Sequence, residues 1–211
     1  MALERHKTWI IYLFLFAVAI SSGGCGNKSS DLTAKIISIT GKVELRQPAT
    51  DKFIEAKQND MLACGGILKT GDEASAQLEI IGKGIVELKS DTSFELEPGK
   101  DYVLQKAGAA IYKIEKNREG FKVKSPQGTT CVLGTRFLVK VLDTMTVVGV
   151  EEGSVSFTAG NGEVRTLKAK EKTIVDSNGF VGKTLAFDLS SDAFNYLQID
   201  GKWVPKETVE K

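Results

Sequence analysis

One stretch, residues 125–157, constrains the fold more than any other part of the sequence. Val and Phe alternate with other residues along it, as at Phe137, Val139 and Val141. Such alternation is typical of strands that bury one face, and glycine permits the positive φ angles of tight turns. The stretch therefore predicts short strands joined by turns, with glycine at four positions: Gly128, Gly134, Gly149 and Gly153.

The same pattern continues towards the N-terminus. Residues 36–45 predict a bent strand or a pair of strands, and further short strands follow at intervals of about 8 to 12 residues. Strands recurring in this way indicate a sandwich, a barrel or a stacked array, and the period alone does not separate these folds. The predicted strands are 77–81, 85–88, 94–96, 102–105, 110–114 and 121–123.

Several motifs occur in a fixed order along this region. They are Gly41-Lys-Val-Glu-Leu45, Gly65-Gly-Ile-Leu-Lys-Thr-Gly-Asp72, Val132-Leu-Gly-Thr-Arg-Phe-Leu-Val139 and Val148-Gly-Val-Glu-Glu-Gly-Ser-Val-Ser-Phe157. Together they resemble the periplasmic FecR-domain family over roughly residues 36–175. The resemblance implies an all-β fold of short strands stacked in a β-helix-like, coiled array, with a β-sandwich as the alternative.

The resemblance also implies a role in signalling. In family members that resemble FecR itself, the domain is the periplasmic part of an anti-sigma regulator and relays a signal from an outer-membrane receptor. Only about eight residues precede the first apolar run of this chain. We therefore expect no cytoplasmic anti-sigma segment and do not carry that activity over.

The N-terminus has the features of an export signal. Arg5 and Lys7 precede an uncharged apolar run, Trp9–Ile20, which is shorter than the roughly 20 residues of a membrane-spanning helix. Ser21-Ser-Gly-Gly-Cys25 then resembles a lipobox, with Ser22 where Leu is usual, and predicts lipidation of Cys25. Ala17-Val-Ala19 is the alternative site, for ordinary secretion, and an uncleaved anchor is the third possibility.

These features divide the chain into four predicted parts. Residues 1–24 are a lipoprotein signal peptide, 25–33 a tether, 34–183 a FecR-like β-domain and 184–211 a C-terminal helix and tail. Gly26 follows the lipidated cysteine where Asp would resemble an inner-membrane retention signal. We expect a periplasm-facing lipoprotein of the bacterial envelope, with the outer membrane favoured.

Composition excludes several classes of chemistry. The single histidine, His6, lies in the signal peptide, so the exported domain has no histidine for a catalytic triad or for general acid–base catalysis. Zinc and copper sites are disfavoured for the same reason. Basic and acidic residues nearly balance, 28 against 27, without a basic run for nucleic acid. We expect no cofactor, no metal and no enzymatic activity.

Two cysteines remain in the exported domain. Cys64 and Cys131 are predicted either to form a disulfide in an oxidising compartment or to be buried as small apolar side chains. A bridge across this separation would stabilise the fold by roughly 4 kcal/mol in the loop-entropy model.

The C-terminal part contains one predicted helix, Ser190–Gln198, with Ser190 or Ser191 as its N-cap. Trp203 follows it. This aromatic residue is predicted either to close an open end of the core or to contact a partner.

Glu151 and Glu152 are the one pair of adjacent carboxylates in the central stretch that suggests glycan hydrolysis. Neighbours on a strand point to opposite faces, so we expect them to lie in a solvated turn instead of converging on one bond. Arg136 is expected to form a salt bridge with one of them.

The favoured function is a non-enzymatic binding, scaffold or signal-sensing module, and the alternative is a cell-wall glycan-binding or glycan-processing protein. Expected partners are the membrane, through the lipid, and an envelope protein or wall component that docks by strand addition to an open sheet edge.

Overall fold

The computed structural model describes residues 31–192 and two later strands, and these residues are mainly β-structure. Seventeen strands form one connected network. The first nine are β1 (Ala34–Thr40), β2 (Val43–Arg46), β3 (Ile54–Glu55), β4 (Met61–Leu62), β5 (Ile67–Thr70), β6 (Ser75–Ile80), β7 (Gly84–Leu88), β8 (Ser93–Leu96) and β9 (Tyr102–Ile114). The next eight are β10 (Phe121–Ser125), β11 (Gly128–Val132), β12 (Arg136–Val141), β13 (Met145–Glu152), β14 (Ser154–Ala159), β15 (Val164–Lys168), β16 (Glu171–Asp176) and β17 (Gly179–Ala186). A helical turn, α1 (Leu189–Asp192), and a separate hairpin, β18 (Tyr196–Ile199) and β19 (Lys202–Pro205), follow.

The long strand β9 divides the network into two sheets. Its second half pairs within sheet A, whose order is β4-β1-β6-β7-β9-β12-β13-β16-β17, with every pairing antiparallel. Its first half pairs within sheet B, whose order is β3-β2-β5-β8-β9-β10-β11-β14-β15. The pairing of β9 with β10 is parallel, and the other pairings of sheet B are antiparallel.

The chain winds between the two sheets in steps of one hairpin. The hairpins β6–β7, β12–β13 and β16–β17 lie in sheet A, and β10–β11 and β14–β15 lie in sheet B. The predicted all-β fold of short stacked strands is confirmed. Each hairpin pairs with the edge strand of an earlier hairpin in the same sheet. The coiled chain therefore builds two sheets.

One main core lies between the sheets. Residues with inward side chains alternate along each strand, and the buried set draws on both sheets. Tyr112 of sheet A stacks on Phe137 with ring centroids 4.9 Å apart and meets Phe121 of sheet B at 6.2 Å. Leu32, just before β1, is also buried. The apolar alternation in the sequence therefore places the hydrophobic faces of the two sheets against each other.

Gly108 marks the point at which β9 passes from one sheet to the other. Its φ is +77°, and a Cβ there would lie 2.4 Å from the Thr92 hydroxyl oxygen. Gln105 secures the crossing, because its Nε2 donates to the carbonyl oxygens of Gly108 and Val139, each at 3.0 Å. The Tyr112 hydroxyl donates to Gln105 Oε1 at 2.9 Å.

Two details differ from the sequence prediction. The strands predicted at 102–105 and 110–114 are one continuous strand, β9. The predicted helix Ser190–Gln198 is wrong from Tyr196 onward, because Tyr196–Ile199 is a strand that pairs with Lys202–Pro205. The short C-terminal helix itself is present as α1. Among the residues that the structure describes, no helix has the length and hydropathy needed to cross a membrane.

Candidate functional site

The outer face of sheet A is covered at its centre. Along β12 and β13, consecutive residues are buried, so both faces of these strands are shielded from solvent. A second apolar cluster, separate from the main core, contains Ala109, Ile111, Leu138 and Phe187, with Leu189 packed against it. Phe187 follows β17 and returns over the sheet, where its amide donates to the Lys170 carbonyl oxygen at 2.9 Å.

Gly149 provides the space that Phe187 occupies. A Cβ at this position of β13 would lie 2.3 Å from the ring of Phe187. Real Cβ atoms do not approach so closely, so the glycine and the aromatic ring fit each other. Gly149 therefore serves packing within a strand, in contrast to the turn that its position in the sequence suggests.

A groove lies beside this cluster on the same face. We call it the sheet A groove; it has a volume of about 280 Å³ and is lined by Gln77, Ile85, Glu87, Ile111, Lys113 and Arg136. The strand register creates it. Gln77 lies opposite Glu87, which lies opposite Ile111, and in the next row Ile85 lies opposite Lys113, which lies opposite Arg136. Four adjacent strands, β6, β7, β9 and β12, thus contribute to one surface.

The groove has two cations that the described residues do not neutralise. Lys113 and Arg136 are both exposed and lie directly opposite each other on neighbouring strands. Neither forms an ion pair or a side-chain hydrogen bond within the described part of the chain, whereas Glu87 is bound by Lys89. Like charges placed directly opposite each other destabilise a sheet. The pair is therefore better suited to receiving an anionic group than to supporting the fold.

A second groove lies on the outer face of sheet B. It has a volume of about 330 Å³, and its lining includes Lys122, Cys131, Leu133, Ser156 and Thr166. Its lysine is already paired, because Lys122 Nζ lies 2.5 Å from Asp101 Oδ2. This hydrogen bond holds the pKa of Asp101 below its ordinary value and raises the pKa of Lys122. The sheet B groove thus offers hydroxyls and a thiol but a neutralised charge.

The central part of this architecture, from β5 into β14, is also similar to a known protein family. Residues 67–156 match the family model described as FecR protein. This matched part of the chain is a FecR-like domain. All six residues of the sheet A groove lie within the matched range, whereas Phe187 lies beyond it.

Solved structures share the fold of this FecR domain. Two crystal structures of a candidate anti-sigma factor from Parabacteroides distasonis ATCC 8503, at 2.50 and 1.65 Å resolution, are each similar to it with a TM-score of 0.52 and 22% sequence identity. The similarity covers 59% of this chain and 61% of that protein, so the chain spans about three fifths of that relative's length. No curated protein matches the chain.

Cys64 and Cys131 are free thiols in the structure. Cys64 lies in the turn before β5, where its Sγ is 3.8 Å from the Glu97 carbonyl oxygen, and Cys131 lies on the outer face of sheet B. The predicted bridge between them is not formed in this structure, since each thiol has different neighbours. Burial raises the pKa of both thiols, so neither has the environment of an activated nucleophile.

The carboxylate pair in the central stretch does not form a catalytic arrangement. Glu151 binds Lys170 through Oε1, and Glu152 lies opposite Arg136 in the register of β12 and β13. The expected salt bridge from Arg136 to Glu151 or Glu152 is not formed among the described residues, and Lys170 binds Glu151 instead. Within the described residues, no group of three Asp, Glu, Cys or His side chains is placed to hold a metal ion. The surface is suited to binding, and nothing in the described residues suggests catalysis.

Two predicted site residues cannot be placed in this geometry. Cys25, the predicted lipidation site, lies outside the described residues. Trp203 lies in β19, whose side chains are also outside the described part of the chain. Sequence reasoning did not identify Lys113 or Phe187. The available signal was the unbroken burial-prone run Val147-Val-Gly-Val150, which predicts a strand covered on both faces.

Proposed function

We propose that this chain is a membrane-anchored lipoprotein of the bacterial envelope whose FecR domain is a non-enzymatic signal-sensing module that binds a protein. The observation that carries this proposal is the FecR domain itself, built as a stack of strands whose outer face in sheet A is partly apolar and partly cationic. The structural relative from Parabacteroides distasonis bears the description of an anti-sigma factor. That description supports a regulatory role for this domain.

The anchor in this proposal rests on the sequence. The apolar run Trp9–Ile20, the lipobox-like Ser21-Ser-Gly-Gly-Cys25 and the polar residues after Cys25 match a lipidated N-terminus with a short tether. Two or more acyl chains anchor a protein stably, at roughly 0.8 kcal/mol per buried CH₂. Gly26 favours sorting to the outer membrane, with the domain facing the periplasm.

Metabolic labelling tests the anchor. Cells that express the full chain are grown with an alkyne fatty acid, and the protein is purified and coupled to a fluorophore. We expect labelling of the wild type and of a Cys64→Ala control, and loss of labelling and of membrane fractionation in Cys25→Ala. Equal labelling of the wild type and Cys25→Ala would exclude lipidation at this residue.

Crosslinking in intact cells tests the binding role. A discrete protein recovered with the exported domain, and identified by mass spectrometry, is the expected result. Recovery of wall fragments alone, with the domain folded and well expressed, would contradict protein binding and favour glycan binding. Deletion of the identified partner should then alter transcription if the module senses a signal.

A further inference from the structure

We propose that the sheet A groove binds an acidic segment of a protein partner, and that Lys113 and Arg136 bind its carboxylates. This inference rests on the proposed function, because it assigns the surface and the chemistry of the partner to a domain that binds a protein. It is carried by two cations that lie opposite each other without a carboxylate partner, next to two isoleucine side chains on one face of sheet A.

The cations differ in their surroundings from several lysines of the same region. Lys83, Lys106 and Lys122 each lie within 2.8 Å of a carboxylate oxygen. Lys113 and Arg136 have no such partner within residues 31–192, although they face each other across β9 and β12. A carboxylate placed between them would remove their mutual repulsion and form two charge-assisted hydrogen bonds.

The nearby acids do not complete the site. Glu87 lines the groove, but its carboxylate binds Lys89. Glu152 lies opposite Arg136 in register without an ion pair in the described residues. The positive charge at the centre of the groove therefore remains available to an external anion.

The apolar part of the groove favours a peptide as the occupant. Ile85 is partly exposed and lies directly opposite Lys113 in the row of the cations, and Ile111 is 9% exposed and lies in the next row, opposite Glu87. Gln77 supplies an amide that donates and accepts hydrogen bonds. An anionic membrane surface is recognised by clusters of four to eight basic residues, and this groove has two. A segment that carries both acidic and aliphatic side chains matches the two cations and the two isoleucines.

Binding of a defined peptide to the full-length protein in detergent micelles tests the proposal. The probe is a fluorescent, capped peptide Glu-Leu-Glu-Leu-Glu, measured by anisotropy, and its counterpart Lys-Leu-Lys-Leu-Lys is the charge control. We expect the wild type to bind the acidic peptide and not the basic one, with affinity that falls as salt rises. Failure of the wild type to bind the acidic peptide in preference to the basic one would overturn the proposal.

Matched variants locate the site. Lys113→Glu/Arg136→Glu should weaken binding about tenfold, since two exposed attractive contacts become repulsive. Lys52→Glu/Lys57→Glu makes the same change of charge at exposed lysines outside the groove and should leave the affinity unchanged. Lys113→Arg/Arg136→Lys keeps both charges and should retain binding. Equal weakening in the two reversed variants would show a general charge effect and contradict the assignment.

Two competition experiments distinguish an acidic peptide from other anionic ligands. Inorganic phosphate that displaces the peptide at lower concentration than free glutamate would assign a phosphate site instead. Phosphatidylglycerol vesicles that bind through Lys113 and Arg136 more tightly than the peptide would assign a membrane surface. If the crosslinked partner is retained in Lys113→Glu/Arg136→Glu, the groove is not the contact surface, and the proposed protein-binding function stands without it.

Discussion

The outer faces of the two sheets differ in their exposure to solvent. In sheet B, β10 and β14 alternate buried and more exposed residues, so one face packs on the core and the other meets solvent. In sheet A, β12 and β13 are buried on both faces, and Phe187 covers part of the outer face. The same hairpin winding thus produces one solvated face and one covered face, and the covered face borders the unneutralised cations.

The difference originates in the sequence of the strands. The β14 segment Ser154–Ala159 alternates polar and apolar residues, whereas β13 contains Val147, Val148 and Val150 in near succession. An antiparallel sheet with one solvated face shows alternation, and an apolar run on both faces requires a cover. The second cluster on sheet A is therefore encoded by its central strands as well as by Phe187.

The largest expected effect is that of Phe187→Ala. Phe187 is 4% exposed, and its removal leaves a cavity over Gly149, which should lower the free energy of unfolding by about 3 kcal/mol. Leu133→Ala on the sheet B side is the control: Leu133 is 64% exposed, and its removal should cost less than about 0.5 kcal/mol. Urea unfolding followed by circular dichroism measures both. Similar losses of unfolding free energy in the two variants would show that the covered face of sheet A contributes no more to stability than the exposed face of sheet B.

The next effect concerns the fit between Gly149 and Phe187. Gly149→Ala forces the aromatic ring to move and should cost about 1–3 kcal/mol through overpacking. In the Phe187→Ala background the same change should be nearly neutral, giving a coupling energy of about 1 kcal/mol or more in a double-mutant cycle. Gly160→Ala, whose nearest contact is the Gln127 carbonyl oxygen at 3.7 Å, is the sheet B control and should have little effect. Additive losses would contradict direct contact between the two positions.

Much of the fold could be predicted because the strands and turns are local. Period-2 alternation located β7 and β10, and glycines at positive φ do lie at turns, as Gly153 does between β13 and β14. The predicted C-terminal helix is too long because Ser190 and Asp192 are typical of a helix N-terminus. The Asp200-Gly201 dipeptide is the signal in the sequence that favours a hairpin instead.

The candidate site was harder to predict because it depends on register. Lys113 and Arg136 are 23 positions apart in the chain, and only the pairing of β9 with β12 places them opposite each other. Register is a tertiary property, set by which faces are buried, and no local pattern states it. Similarly, the role of Gly149 depends on Phe187, which lies far along the chain.

A smaller effect is expected at the joint through which the two sheets are connected. Tyr112→Phe removes the donor to Gln105 Oε1, leaves that buried acceptor without this bond and should cost about 1–2 kcal/mol. Tyr102→Phe is the control, because Tyr102 lies on the outer face of sheet B and keeps its ring contact with Lys124 as phenylalanine. Both are measured by thermal unfolding at neutral pH. An unchanged stability in Tyr112→Phe would mean that the shape of the ring alone secures the joint.

The smallest effect is expected at the ion pair on the face of sheet B, between Asp101 and Lys122. Their side chains are 66% and 43% exposed, so solvent screening should limit the loss in Asp101→Asn to about 0.5 kcal/mol or less. Because the folded state lowers the pKa of Asp101, the pair stabilises the protein above the unfolded-state pKa of about 3.9 and loses this contribution as the pH falls through the folded-state value. The difference between wild type and variant should thus be constant from pH 7 to pH 5 and vanish in stronger acid, as urea titrations at a series of pH values would measure. A difference that grew in acid would have the wrong sign for this pair, and a loss above 1 kcal/mol would mean that the outer face of sheet B contributes to stability as the covered face of sheet A does.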